Sequence, residues 1–211
     1  MTLRPRRPRR ELPAIAVLCS GRGTNLQAML DATRKGRLRA RVVLVVTDQP
    51  TAGALARARR AGIDAQFLDP KAYPTHAEYE RALIALIDAH HVRLVCLAGF
   101  MRILSPLFVQ HFRSRILNIH PALLPAFPGA HAVRDALAWG AKVTGVTIHF
   151  LDEQVDHGPI ILQKPVVIQR GDTEARLLAR VHRTEHRLYP RAIQYVLEGR
   201  CRITGRNVTV R

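Results

Sequence analysis

From residue 14 to about residue 120 the chain alternates short, continuously apolar runs with amphipathic ones. That alternation restricts the fold more than any other feature. The segments "AIAVLC" (14–19), "RVVLVVTD" (41–48), "AQFLD" (65–69), "VRLVCLAG" (92–99) and "SRILNIH" (114–120) read as strands. Helices are predicted between them: over 24–36, closed by Gly36; over 51–62, closed by Gly62; and up to residue 91, opened by a Thr75/Glu78 capping box. Ser105-Pro106 places an N-cap and a first-turn proline at the start of a further short helix. The strands are apolar throughout rather than at every second residue, the pattern of a parallel sheet covered on both faces. The predicted fold is therefore α/β: an open, doubly wound, mostly parallel sheet of Rossmann-like type.

The second half changes character. After a helix near 131–139, "KVTGVTIHFLD" and "PIILQKPVVI" alternate better and contain Gly or Pro, so mixed or edge strands are expected. A long amphipathic helix is predicted over 173–198, with a kink at Pro190. The end, "CRITGRNVTVR", reads as a hairpin around Gly205-Arg206. A basic tail (1–12) followed by one domain (13–211) is the expected organisation.

The chain carries 33 Lys and Arg against 16 Asp and Glu, a net charge of +17. Nearly all of the basic charge is Arg. A basic surface attracts nucleic acid or anionic small molecules. Here the Arg residues are scattered, and few aromatics accompany them for base stacking, which favours compositional bias over nucleic-acid binding. "MTLRPRRPRR" reads as a disordered basic segment. With the following "ELPAIAVLCSG" it imitates a signal peptide, but the apolar run passes straight into a Gly-rich loop, and cleavage would remove a strand that this loop needs. No run approaches the roughly 18 apolar residues of a membrane span. Cys19, Cys96 and Cys201 make no disulfide framework, and a cytoplasmic location is expected.

Three constellations carry chemistry. In "CSGRGTNLQ" (19–27) a strand meets a Gly-rich turn and a helix start, where free N–H groups favour an anion. No Gly-Lys-Ser/Thr follows, and Leu26 stands at the third glycine position of the dinucleotide fingerprint, so a single phosphate is the natural cargo. "HRTEH" (182–186) has the spacing of inverted zinc proteases, but no third ligand is identified. In "NIHPALLPAFPG" (118–129), Asn118 and His120 lie two apart at a strand end and so share a face. Ligands of open α/β sheets bind beyond such ends. An amide can donate to an oxyanion while an imidazole moves a proton. Asp152, Glu153 and Asp156 offer a carboxylate partner. No Ser or Cys nucleophile sits in a recognisable elbow, which favours direct transfer between two bound substrates.

"SGRGTNLQ", "LAGFMRILSP", "LNIHPALLPAFPG", "VDHGPII" and "RTEHRLYP", in that order, closely resemble the phosphoribosylglycinamide formyltransferase family of purine synthesis, over about residues 14–200. The resemblance implies that a formyl group moves from 10-formyltetrahydrofolate, the co-substrate, to the amine of glycinamide ribonucleotide, with no metal. It implies Asn118, His120 and Asp156 as catalytic residues, with His120 charged because Asp156 is near. It implies Gly23, Thr24, Asn25 and Glu185 as ribonucleotide contacts, the last a better account of "HRTEH" than zinc. Folate contacts are implied for Met101, Arg102, Ile103, Leu104, Asn118 and Asp152, and for His76, which stands where the family often has Arg. His157 replaces the small residue usual between the Asp and the Gly of the pterin loop, and the Arg-rich tail has no family counterpart. Monomer and homodimer both remain open.

Three alternatives compete. A formyltetrahydrofolate hydrolase uses a similar trio with water as acceptor, but that family carries an N-terminal regulatory domain, for which 13 residues leave no room. A basic nucleic-acid-binding protein on the same scaffold would explain the charge, but an intact Asn-x-His and Asp argue against an inactive scaffold. Methionyl-tRNA formyltransferase, with related chemistry, needs a further C-terminal domain.

Overall fold

The computed structural model describes residues 11–211. Of the basic tail predicted over 1–12, residues 1–10 lie outside the described residues, while the apolar part of the signal-like pattern is strand β1 of the sheet. The elements in chain order are β1 (Ala14–Leu18), α1 (Thr24–Arg34), β2 (Arg41–Thr47), α2 (Gly53–Arg60), β3 (Asp64–Phe67), α3 (His76–Ala89), β4 (Leu94–Leu97), α4 (Pro106–His111), β5 (Ile116–His120), α5 (Ala132–Ala138), β6 (Val143–Phe150), β7 (Ile160–Val167), α6 (Glu174–Leu197), β8 (Cys201–Thr204) and β9 (Asn207–Val210). Among the described residues nine strands form one sheet in the order β3-β2-β1-β4-β5-β6-β7-β9-β8.

The five N-terminal strands pair in parallel, as their unbroken apolar runs predict. β1 shows why. Ile15 and Val17 pack into the layer under α1 and α6, while Ala16 and Leu18 pack into the layer under α3 and α4. With both faces buried, no position on the strand is left for a polar residue. The capping box of Thr75 and Glu78 is present at the start of α3. Ser105 occupies the N-cap of α4 without capping it, because its hydroxyl and its backbone N–H both go to the buried Glu80 carboxylate.

β6 and β7 are antiparallel neighbours, and the hairpin β8–β9 closes the sheet. β6 lies between β5 and β7 and is buried over seven of its eight residues, so the expectation of an edge strand does not hold for it. Its Gly145 marks close packing, since a Cβ there would lie 2.5 Å from both the Lys164 carbonyl and the Leu123 side chain. β4 is shorter than predicted, because Gly99, at φ +75°, turns the chain out of the sheet. α6 continues unbroken through Pro190. Among the described residues no helix is long and apolar enough to cross a membrane.

Candidate active site

β1 leads to β2 on one side while β4 lies on the other, so the strand order reverses between β1 and β4, where open α/β sheets bind ligands. The two loops leaving this point are tied together: Ser20 N–H donates to the Gly99 carbonyl (2.9 Å), and Met101 N–H donates to Ser20 Oγ (2.9 Å). Beside them β5 ends at His120. β6 runs back along it with Asn118 opposite His149 and His120 opposite Thr147.

The loop after β6 brings Asp156 over the end of β5. One carboxylate oxygen accepts from Gly129 N–H (2.8 Å) and lies 3.2 Å from His120 Nδ1; the other accepts from Asn118 Nδ2 (3.2 Å). Gly158 allows this approach, because a Cβ there would lie 1.8 Å from the Phe150 carbonyl oxygen. The three residues that the resemblance implies as catalytic are thus in contact. Sequence reasoning missed a fourth member. The fully buried His149 donates from Nδ1 to the Phe150 carbonyl (2.8 Å) and accepts from Asn118 at Nε2 (3.2 Å), 3.7 Å from Asp156. Both Asn118 amide protons are therefore engaged inside the cluster. The only sequence sign of His149 was a histidine in an otherwise apolar strand just before "FLDE".

Burial pushes Asp156 up, but the neighbouring His149 and His120 rings and the hydrogen bond from Gly129 N–H outweigh it and hold the carboxyl below its ordinary value. For His120 the balance goes the other way. Burial pulls the ring below the ordinary histidine value, against the Asp156 charge and the Phe127 carbonyl, which raise it. The expectation of a charged His120 thus meets two opposing influences: Asp156 favours the charged ring, and burial disfavours it more strongly. Its Nε2 donates to the Phe127 carbonyl (2.8 Å), and its Nδ1 faces the Asp156 carboxylate. A proton arriving between Nδ1 and Asp156 satisfies both atoms.

A cavity of about 230 Å³ opens on this cluster, walled by segments 99–104, 118–121 and 151–156. Met101 and Ile103 are 67% and 72% exposed, an apolar rim fit for a flat ring system, while Leu104 is buried behind them. Arg102 lies with its guanidinium 5.1 Å from the Tyr79 ring centroid. Asp152 lines the cavity, yet its carboxylate accepts from Gln154 N–H and His157 Nδ1 and so shapes the loop. His76 is not part of the cavity wall; it faces Glu80 at 3.6 Å and stacks on Tyr79.

The Gly-rich turn after β1 lies at the same switch point but is not part of the cavity wall. Gly23, at φ +70°, caps α1, and a Cβ there would lie 2.8 Å from Ala54. Thr24 and Asn25 form the first turn. Asn25 Nδ2 donates to the buried Glu185 (2.9 Å), which joins the turn to α6, while Asn25 Oδ1 is buried without a partner. Burial raises the Glu185 carboxyl against the Asn25 bond. His182 and His186 stack on each other beside it rather than gripping a common point. Among the described residues no three His, Cys, Asp or Glu side chains converge as a metal site.

This fold and cluster define a class. Residues 14–193 match the family described as formyl transferase, and the chain belongs to that family. Among its relatives is phosphoribosylglycinamide formyltransferase of Escherichia coli, 44% identical over 189 residues, which cover 90% of this chain and 89% of that protein. The human trifunctional purine biosynthetic protein adenosine-3 is 45% identical over 185 residues, and the match spans only 18% of its length. The crystal structure of glycinamide ribonucleotide transformylase 1 from Symbiobacterium toebii superposes with a TM-score of 0.93 at 50% identity, covering 96% of this chain and 95% of that one.

Proposed function

We propose that this chain transfers the formyl group of 10-formyltetrahydrofolate to the amine of glycinamide ribonucleotide. The observation that carries the reading is the meeting of Asn118, His120 and Asp156 at the wall of the apolar-rimmed cavity. Relatives named for this reaction, of nearly the same length, support it. In this reading the folate lies against Met101–Leu104 and the 151–156 loop. The phosphate of the ribonucleotide meets the N–H groups of Gly23, Thr24 and Asn25, and Glu185 faces its sugar and amine end.

The chemistry follows from the geometry. The ribonucleotide amine attacks the formyl carbon, a C–N bond forms, and the carbonyl oxygen becomes an oxyanion. The amine proton passes, through water, to the seat between Asp156 and His120 Nδ1, so the ring becomes a cation as the oxyanion appears. Asn118 exchanges one of its internal bonds to donate to that oxyanion. The C–N10 bond then breaks and N10 of the folate takes the stored proton. The test is H120A. Turnover is expected to fall by roughly 10²–10⁴-fold, while calorimetry shows ribonucleotide binding little changed. Near-normal turnover would sink the assignment.

A further inference from the structure

We propose that Arg206, at the tip of the β8–β9 hairpin, is a positioning residue for the loop 151–158. It acts through His157 and so holds Asp156 in place. The proposal rests on the folate reading of the cavity.

The hairpin joins the rest of the sheet by a single pairing, Ile160 with Asn207, beside the exit of that loop. From there Arg206 grips His157: Nη2 donates to its carbonyl (2.7 Å), and Nη1 lies against its ring, 2.6 Å from Nε2 and 3.1 Å from Nδ1. The same ring donates from Nδ1 to Asp152 Oδ2 (2.7 Å), and Asp152 Oδ1 accepts from Gln154 N–H (3.1 Å). A continuous chain of contacts thus crosses the loop from exit to entry.

The loop needs such a hold. Asp156 sits at φ +51°, a left-handed conformation that favours glycine and persists at other residues where the surroundings enforce it. Gly129 N–H fixes its carboxylate from the inside, and Gln110 anchors Glu153 from α4. Among the described residues it is Arg206 that fixes the backbone immediately after Asp156, by holding the His157 carbonyl. Arg206 itself does not line the cavity.

The test uses R206A, R206K and H157A in the full chain, with KM measured for each substrate and amide exchange followed across 151–158. R206A is expected to raise KM for the formyl donor roughly 2- to 10-fold, the worth of one or two exposed hydrogen bonds. Exchange in the loop should speed up by a similar factor, with the ribonucleotide KM and the thermal midpoint unmoved. R206K should recover part of the loss, and R206A/H157A should be no worse than the larger single change. Unchanged donor KM and loop exchange in R206A would overturn the proposal. So would a rise in both KM values together with a lower midpoint. Exchange without substrates judges the latch by itself; absence of ribonucleotide-dependent transfer in the wild type would overturn the folate reading instead.

Discussion

Replacing Asp156 with Asn keeps the size of the side chain and removes its charge. One oxygen remains to accept from Gly129 N–H or Asn118, but the new amide cannot accept the proton that His120 Nδ1 needs to share at 3.2 Å. Loss of a general acid–base partner costs roughly 10²–10⁴-fold in rate, about 2.7–5.5 kcal/mol of barrier at 1.36 kcal/mol per decade. The expected result is a fall in kcat of that size, followed as release of tetrahydrofolate, with ribonucleotide affinity kept because Gly23–Asn25 and Glu185 lie on other elements. Stability carries a second signature. Asp156 titrates below its ordinary value of 3.8 in the folded chain. Its charge therefore stabilises the fold above that pH, and the contribution is lost as pH falls through the folded value. The gap in thermal midpoint between wild type and D156N should be widest near neutrality and close below about pH 4. A variant with kcat within threefold of wild type, or a gap independent of pH, would refute the placement of the proton at this pair.

Three further outcomes follow from the same geometry. Because burial raises the Glu185 carboxyl, its ionised form destabilises the fold increasingly as pH rises above the ordinary value, so E185Q should melt higher than wild type at pH 7 while its ribonucleotide KM rises; a lower midpoint contradicts this. Tyr189 Oη, fully buried, shares one proton between the Leu97 and Leu117 carbonyls at 2.8 and 2.9 Å; Y189F removes that donor and should cost about 0.5–1.5 kcal/mol in denaturant unfolding, with no loss contradicting it. Since burial lowers His120 and the reaction needs the ring neutral, the acid limb of the kcat/KM profile should lie below pH 6.5; a limb above pH 7 would place the ring's role elsewhere.

Much of this architecture was legible in the sequence because its signals are local. The apolar runs of β1, β2 and β4, the capping box at Thr75 and the turn glycines Gly36 and Gly62 each report their own surroundings. What was hidden depends on pairing. β6 looked like an edge strand because Gly145 and its alternation mimic one, and only its register shows the glycine making room for the Lys164 carbonyl. His149 became part of the cluster by facing Asn118 across that same register. The Phe127 carbonyl and Gly129 N–H are backbone groups, which residue identities do not announce. The carboxylate that favours a charged His120 can be named from sequence, whereas the burial that opposes it belongs to the fold.

The proposed transfer would pass a formyl group between two substrates bound at the cavity beside Asn118, His120 and Asp156. Its decisive test is purified protein incubated with 10-formyltetrahydrofolate, with and without glycinamide ribonucleotide. Tetrahydrofolate is expected to be released only when the ribonucleotide is present, in equal amount to formylated ribonucleotide. Release at the same rate without the ribonucleotide, or none with it, would overturn the proposed function.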